Sequence, residues 1–223
     1  MMLALISDIH GNLPALKVVL EEIGEADLIL CAGDVVGYNP WPNEVIWEIR
    51  KRDIQCIRGN HDRAVIYDDY SRFNTYAAMA GAWTRSVLTR VNLEYLYSLK
   101  DSMLVEYEGR RIAVHHGAPF DEDYYVYPED AGESLLRYEN PDMLVLGHTH
   151  VPFVKKFENG VIINPGSVGQ PRDGDPRASF AIVDLDNGVY EIRRVEYPID
   201  EVYNAIIEND LPPILGERLY LGY

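Results

Sequence analysis

All six histidines of this chain sit in short polar motifs: Asp8-Ile9-His10, Asn60-His61-Asp62, His115-His116-Gly117 and His148-Thr149-His150. Two similar segments, Gly33-Asp34 and Asn164-Pro165-Gly166-Ser167, add a carboxylate and hydrogen-bonding side chains. Carboxylates, imidazoles and an amide oxygen suit divalent Mn, Fe, Zn, Ni or Co, and the absence of thiolates from these motifs argues against a structural zinc site. The donors outnumber the places on one tetrahedral ion and suit two ions sharing a carboxylate. Such pairs, roughly 3.5–4 Å apart, activate a water and stabilise charge in an in-line displacement at phosphorus. Each motif alone has a plainer reading. Asp8-x-His10 and Gly33-Asp34 also suit polar turns, and Asn60 or Asp62 suits a helix cap. His148-Thr149-His150 is the most specific piece, because two imidazoles at i, i+2 seldom serve a core.

The elements that must position these residues are apolar runs. Residues 3–7, 28–32, 54–58, 111–114, 143–146 and 161–163 read as buried strands, and each runs directly into one of the motifs. Ligands of open αβ sheets bind beyond the carboxyl ends of strands, so one fold brings all six motifs to one site. Helical spacing spans 14–24, with Pro near its start and Gly at its end, and recurs over 43–52. Residues 71–99 read as helix with a break near Val91 and Asn92. From residue 103 strand signals dominate, and Asp186-Asn187-Gly188 marks a hairpin. The order βαβαβ, then helices, then many strands predicts a layered α/β fold with two sheets packed face to face. No repeat or flexible linker divides it, so residues 1–223 read as a single domain. The segment 210–223 is apolar and broken by prolines; it either packs on the domain or serves a partner subunit, as in a homo-oligomer.

Composition bounds the function. The 223 residues carry 36 acidic against 20 basic side chains, a formal net charge of −16. Long nucleic acids and anionic membranes would be repelled at long range. Cys31 and Cys56 are the only cysteines and fall inside strand-like runs, which suggests two reduced thiols rather than a disulfide framework. With no membrane-length apolar run and no basic, signal-like start, the chain reads as soluble and cytoplasmic.

The motifs, in order, resemble those of the calcineurin-like metallophosphoesterase superfamily: D-x-H, G-D-x-x-G, G-N-H-[DE], H-G and G-H-x-H. Here they read DIH, GDVVG, GNHD, HG and GHTH. The continuation NPGSVGQPRDGDPRASF is similar to the compact bacterial and archaeal phosphodiesterase branch. The resemblance implies a four-layer α-β-β-α sandwich of two mixed sheets and two divalent ions, manganese first among the candidates. It implies that Asp8, His10 and His150 hold one ion, that Asn60, His116 and His148 hold the other, and that Asp34 bridges them. His116 is chosen over His115 because it directly precedes the glycine. The role of His115 is left open, either as a hydrogen-bond donor behind the ligands or as a partly buried core histidine.

The implied reaction is attack on phosphorus by a hydroxide bridging the ions, with His61 assisting the leaving oxygen. Some branches carry a carboxylate in the G-D motif that supports this histidine. Gly37 stands there instead, so Asp62 is expected to orient His61. Asn12, Arg172 and Arg177 are candidate phosphate contacts, with a helix cap as the rival role for Asn12 and surface ion pairs for the arginines. The tyrosine-rich stretches 67–76 and 121–130 are expected to roof the site, where their carboxylates favour a small phosphodiester or nucleotide over a long strand. Two ions of about +4, two aspartates and a hydroxide leave the pocket near +1, so the acidic chain still admits an anionic ester. The alternatives are a phosphomonoesterase or protein phosphatase, and a protein-interaction scaffold like the retromer subunit of similar fold. That subunit departs from the motif at the catalytic histidine, whereas His61 is present here.

Overall fold

The computed structural model describes residues 1–223. Its first apolar run forms β1 (Met2–Ile6), followed by α1 (Leu13–Ile23), β2 (Leu28–Cys31), α2 (Pro42–Lys51) and the short β3 (Gln55–Cys56). Three helices come next: α3 (Asn60–Tyr67), α4 (Thr75–Val87) and α5 (Arg90–Ser98). The strands β4 (Ser102–Tyr107), β5 (Arg110–His115), β6 (Met143–Val145), β7 (Phe153–Phe157) and β8 (Gly160–Asn164) build the second half. The hairpin β9 (Ala178–Asp184) and β10 (Val189–Val195) then returns to the first sheet, and α6 (Ile199–Glu208) and α7 (Ile214–Glu217) close the chain.

The two mixed sheets have the orders β10-β9-β1-β2-β3 and β4-β5-β6-β8-β7. β1, β2 and β3 run parallel in one, and β5, β6 and β8 run parallel in the other. Their inner faces meet, with Leu3, Leu5 and Leu30 against Ile112, Val114 and Ile163. Successive side chains of a strand face opposite sides, so Ala4, Ile6 and Ile182 point outward into a core shared with α1, α2 and α6. Burial on both faces explains why these strands read as continuous apolar runs rather than alternating ones. The far face of the second sheet is covered by coil and one 3-10 turn, Glu133–Arg137, which supplies Leu135 and Leu136. The chain is therefore an α-β-β-α sandwich with a thin fourth layer.

Three details depart from the sequence pattern. The helical region 71–99 breaks at Leu88 and Thr89, because the Thr89 hydroxyl caps α5 by accepting from Asn92 N at 3.2 Å. Helix α3 begins inside the Asn60-His61-Asp62 motif, where its polar first turn hides it from an apolar-periodicity reading. Helix α6 presents only Val202 and Ile206 to the core as fully buried positions. Leu211, Leu215 and Leu219 of the tail are buried in the same core, so the tail packs on its own chain. No helix is long and apolar enough to cross a membrane. Cys31 and Cys56 lie in register on β2 and β3, and both are free thiols.

Candidate metal centre

The six parallel strands deliver their carboxyl ends to one place. β1 leads to Asp8 and His10, β2 to Asp34, β3 to Asn60, β5 to His116, and β6 to His148 and His150. β8 delivers Asn164, whose Nδ2 donates to Gly147 O and Thr149 Oγ1 at 2.8 and 3.0 Å, while Ser167 Oγ donates to Asp8 O at 2.7 Å. This sixth motif therefore braces the loops of the others. Asp8, His10, Asp34, His148 and His150 have φ of 52°, 50°, 53°, 67° and 59°. Left-handed backbone is uncommon outside glycine and costs of order 1–3 kcal/mol per residue, a strain that clusters at functional sites. All five are Asp or His, types that reach this region more often than most.

Close backbone approach completes the arrangement. A Cβ on Gly59 would lie 2.2 Å from Asp34 Oδ1, and one on Gly37 would lie 2.8 Å from His61 Nδ1. Gly37 also has a φ of +111°, so the carboxylate found there in other branches has neither room nor an accessible backbone.

The donor atoms fall into two buried groups that share Asp34: Asp8, His10, Asp34 and His150 in one, and Asp34, His116 and His148 in the other. In the first, His10 Nε2 and His150 Nε2 are 3.1 Å apart, with Asp8 Oδ1 3.2 Å from His150 and Asp34 Oδ2 3.6 Å from His10. In the second, His116 Nε2 is 3.3 Å from Asp34 Oδ2 and 2.9 Å from Asn60 Oδ1. His10, His116 and His150 each place Nδ1 on a backbone carbonyl, of Val36, Ala32 and Gln170. An N–H donated there leaves the Nε2 lone pair for a ligand, the arrangement that metal-binding histidines use. Two such lone pairs facing each other repel unless a cation stands between them. Asp8 Oδ1 is buried with no hydrogen-bond donor. The residues thus fit divalent metal.

Charge at the site agrees. Burial pushes His10 well below the usual imidazole range and His148 down to about 3, and it lowers His150 too. Neutral imidazole is the ligating form. His116 goes the other way: burial pushes it down, but Asp34 outweighs this and raises it to about 10. That position demands a positive charge. Burial opposes ionisation of Asp8, yet His150 and His116 hold it below the usual carboxylate range.

His61 starts α3 beside Asn60 and is enclosed by rings: Phe73 at 4.4 Å, Tyr38 at 4.6 Å and His10 at 4.7 Å between centroids. Its Nδ1 is buried without a partner, and burial pushes its pKa down to about 4. Asp62 does not orient it. The Asp62 carboxylate instead accepts from Val35 N, Val36 N and Gly59 N at 3.2, 3.0 and 3.0 Å. It ties the loop after β2 to the start of α3, positioning Asp34, Asn60 and His61 through the backbone. Burial, with Asp34 close by, pushes Asp62 up to about 7 against the pull of those amides.

A cavity of about 580 Å³ opens over Asn60, His61 and His148. Tyr67, Phe73, Asp123 and Tyr125 from the two tyrosine-rich stretches line it, and Tyr125 stacks on His148 at 3.8 Å. Of the candidate phosphate contacts, only Arg172 reaches it. Asn12 is fully buried away from the cavity and caps α1, its Oδ1 accepting from Ala15 N and its Nδ2 donating to Gly169 O. Arg177 is taken up by Asp175 in a two-pronged ion pair. His115 pairs with Glu139 at 3.1 Å and stands outside both donor groups. Sequence reasoning missed Tyr38, Arg63 and Arg218 of the cavity wall. Tyr38 follows the G-D-x-x-G motif, and that adjacency is the one signal that could have found it.

Comparison with known proteins agrees with this geometry. The family model of the calcineurin-like phosphoesterase superfamily domain matches residues 1–188. The chain is 39% identical over 241 aligned positions to the uncharacterized protein MJ0912 of Methanocaldococcus jannaschii, covering 99% of this chain and 98% of the relative. It is 27% identical over 198 positions to phosphodiesterase YfcE of Escherichia coli, covering 83% and 89%. The crystal structure of a metallophosphoesterase from Sphaerobacter thermophilus superposes with a TM-score of 0.87 at 35% identity, over 100% of this chain and 99% of that one. Motif order, donor geometry and likeness along the chain agree, and the chain belongs to the calcineurin-like phosphoesterase superfamily.

Proposed function

We propose that this protein is a dinuclear-metal phosphodiesterase acting on small phosphodiesters or nucleotides, with its 223 residues forming one cytoplasmic domain. The observation that carries this reading is Asp34, shared by two buried donor groups beneath a cavity wide enough for an organic ester. Asp8, His10 and His150 would hold one ion, Asn60, His116 and His148 the other, and Asp34 would contribute to both. Divalent ions there, manganese first, supply an activated water near neutral pH and offset phosphoryl charge.

The chain's own residues do the rest. His61 lies beside Asn60 on the cavity wall and, as a neutral imidazole, assists the leaving oxygen by donating an N–H hydrogen bond. Asp62 keeps His61, Asn60 and Asp34 in register through three amide bonds. Arg172 lines the same cavity and offers its guanidinium to a phosphate of the substrate. Aromatic walls on two sides, Tyr38 with Phe73 and Tyr125, favour an ester with organic groups on both arms over a phosphomonoester.

The test is turnover of bis(p-nitrophenyl) phosphate against p-nitrophenyl phosphate by manganese-loaded protein. A preference of tenfold or more for the diester is expected. Equal rates, or preference for the monoester, would reject the diesterase assignment. Silence on both with metal bound would favour the scaffold reading.

A further inference from the structure

Arg172 and Arg218 are part-buried, line the cavity over the metal donors, and pair with no aspartate or glutamate side chain. The nearby arginines are neutralised: Arg63 by Glu122 and Asp123, Arg72 by Asp123, Arg177 by Asp175 and Arg194 by Asp173. Arg172 instead leans on neutral groups, donating from Nη2 to Tyr38 Oη at 3.1 Å and to Gln170 Oε1 at 3.0 Å. Arg218 donates from Nε to the Tyr223 main-chain oxygen.

Both guanidinium carbons lie 5.8 Å from the centroid of the Tyr38 ring, so one ring holds two like charges in one neighbourhood. Burial, and then Arg172, lowers the pKa of Arg218, while Tyr38 and Tyr223 pull it back up. The same Tyr38 ring is 4.6 Å from both His10 and His61. The pair therefore stands one aromatic ring away from the metal donors. Arg218 also borders a second cavity of about 590 Å³, with Tyr76, Ile214 and Leu221, which leaves room beyond the pair for an organic group.

We infer that Arg172 and Arg218 form a second anion site, which binds a phosphate of the substrate other than the one attacked. The substrate class is then an ester carrying two or more phosphates, of the nucleoside di- or polyphosphate kind, rather than a simple diester. Guanidinium groups match phosphate oxygens in geometry and keep their charge, which suits them to this task. The C-terminal tail acquires a role in specificity, because α7 and the turn after it carry Arg218 to the cavity. The inference rests on the phosphoesterase reading only for what happens at the metals; the anion site itself rests on the arginines.

Calorimetry on manganese-loaded protein separates the two. Methylenediphosphonate, whose P–C–P link resists hydrolysis, is expected to bind at least tenfold more tightly than inorganic phosphate. Arg218→Gln should erase most of that advantage, and Arg218→Lys should restore part of it. In parallel, kcat/KM for a p-nitrophenyl ester of a nucleoside diphosphate should fall at least tenfold more in Arg218→Gln than that for bis(p-nitrophenyl) phosphate, through KM. An unchanged binding ratio in Arg218→Gln, or equal losses on both esters, would overturn the second site. If no ester is hydrolysed but the binding ratio responds to Arg218, the phosphodiesterase reading falls and the anion site stands.

Discussion

Gly59→Ala isolates the spatial demand of the site. Gly59 has extended backbone, φ −96° and ψ −176°, so alanine meets no conformational penalty there. Its Cβ would sit 2.2 Å from Asp34 Oδ1 and 2.4 Å from Asp34 N. Carbon contacts settle near 3.5 Å, so Asp34 or Gly59 must move by roughly 1 Å. Overpacking of this kind costs about 1–3 kcal/mol. For a chain of this size that lowers Tm by roughly 3–10 °C. Metal sites tolerate shifts of only about 0.2 Å in donor positions, and a 1 Å misplacement costs on the order of a hundredfold in rate. The variant should therefore fold, melt several degrees lower, and lose about a hundredfold in diester turnover together with metal affinity. Gly132→Ala is the control, since its added Cβ meets nothing closer than 3.7 Å. Scanning calorimetry, metal titration and steady-state kinetics on both variants provide the readout. Turnover of Gly59→Ala within threefold of wild type would refute the claim that Asp34 is held by backbone contact.

Three further outcomes follow from the geometry. Asn12→Ala should lose about 0.5–2 kcal/mol of stability through the cap, read by urea unfolding, with KM for the diester unchanged. Arg177→Ala should leave KM unchanged and stability within about 1 kcal/mol, because its charge is spent on Asp175 at the surface; a severalfold rise in KM would return it to the site. Manganese at a hundred times its Kd should stabilise the fold by about 2.7 kcal/mol per site, visible as a rise in Tm. Asp34→Asn should abolish most of that rise, because both donor groups lose their shared carboxylate.

The layers and the convergence of the candidate donors were legible because parallel strands buried on both faces appear as apolar runs, and each run ends in a donor motif. Asp8, His10, Asp34, Asn60, His116, His148 and His150 could be placed by that rule together with the family resemblance. Backbone conformation was not legible. Asp and His adopt left-handed φ more readily than most residues, but nothing in the motifs marks which of them do, and α3 was hidden because its first turn is the polar motif itself. Asp62 shows the same limit. Its neighbour in sequence is His61, but the turn of α3 points its carboxylate at the amides of Gly59, Val35 and Val36. Asn12 followed the more local of its two readings, because a helix cap is satisfied within three residues. Arg218 comes from a tail that reads as packing; only the fold brings it within reach of Arg172 and Tyr38.

The central claim is that Asp34 joins two metal positions. Its most direct test is a crystal structure of the manganese-loaded protein with anomalous scattering recorded at the manganese edge. Two anomalous peaks, roughly 3.5–4 Å apart with an Asp34 oxygen between them, are the predicted result. A single peak, or two peaks that do not share Asp34, would contradict the account.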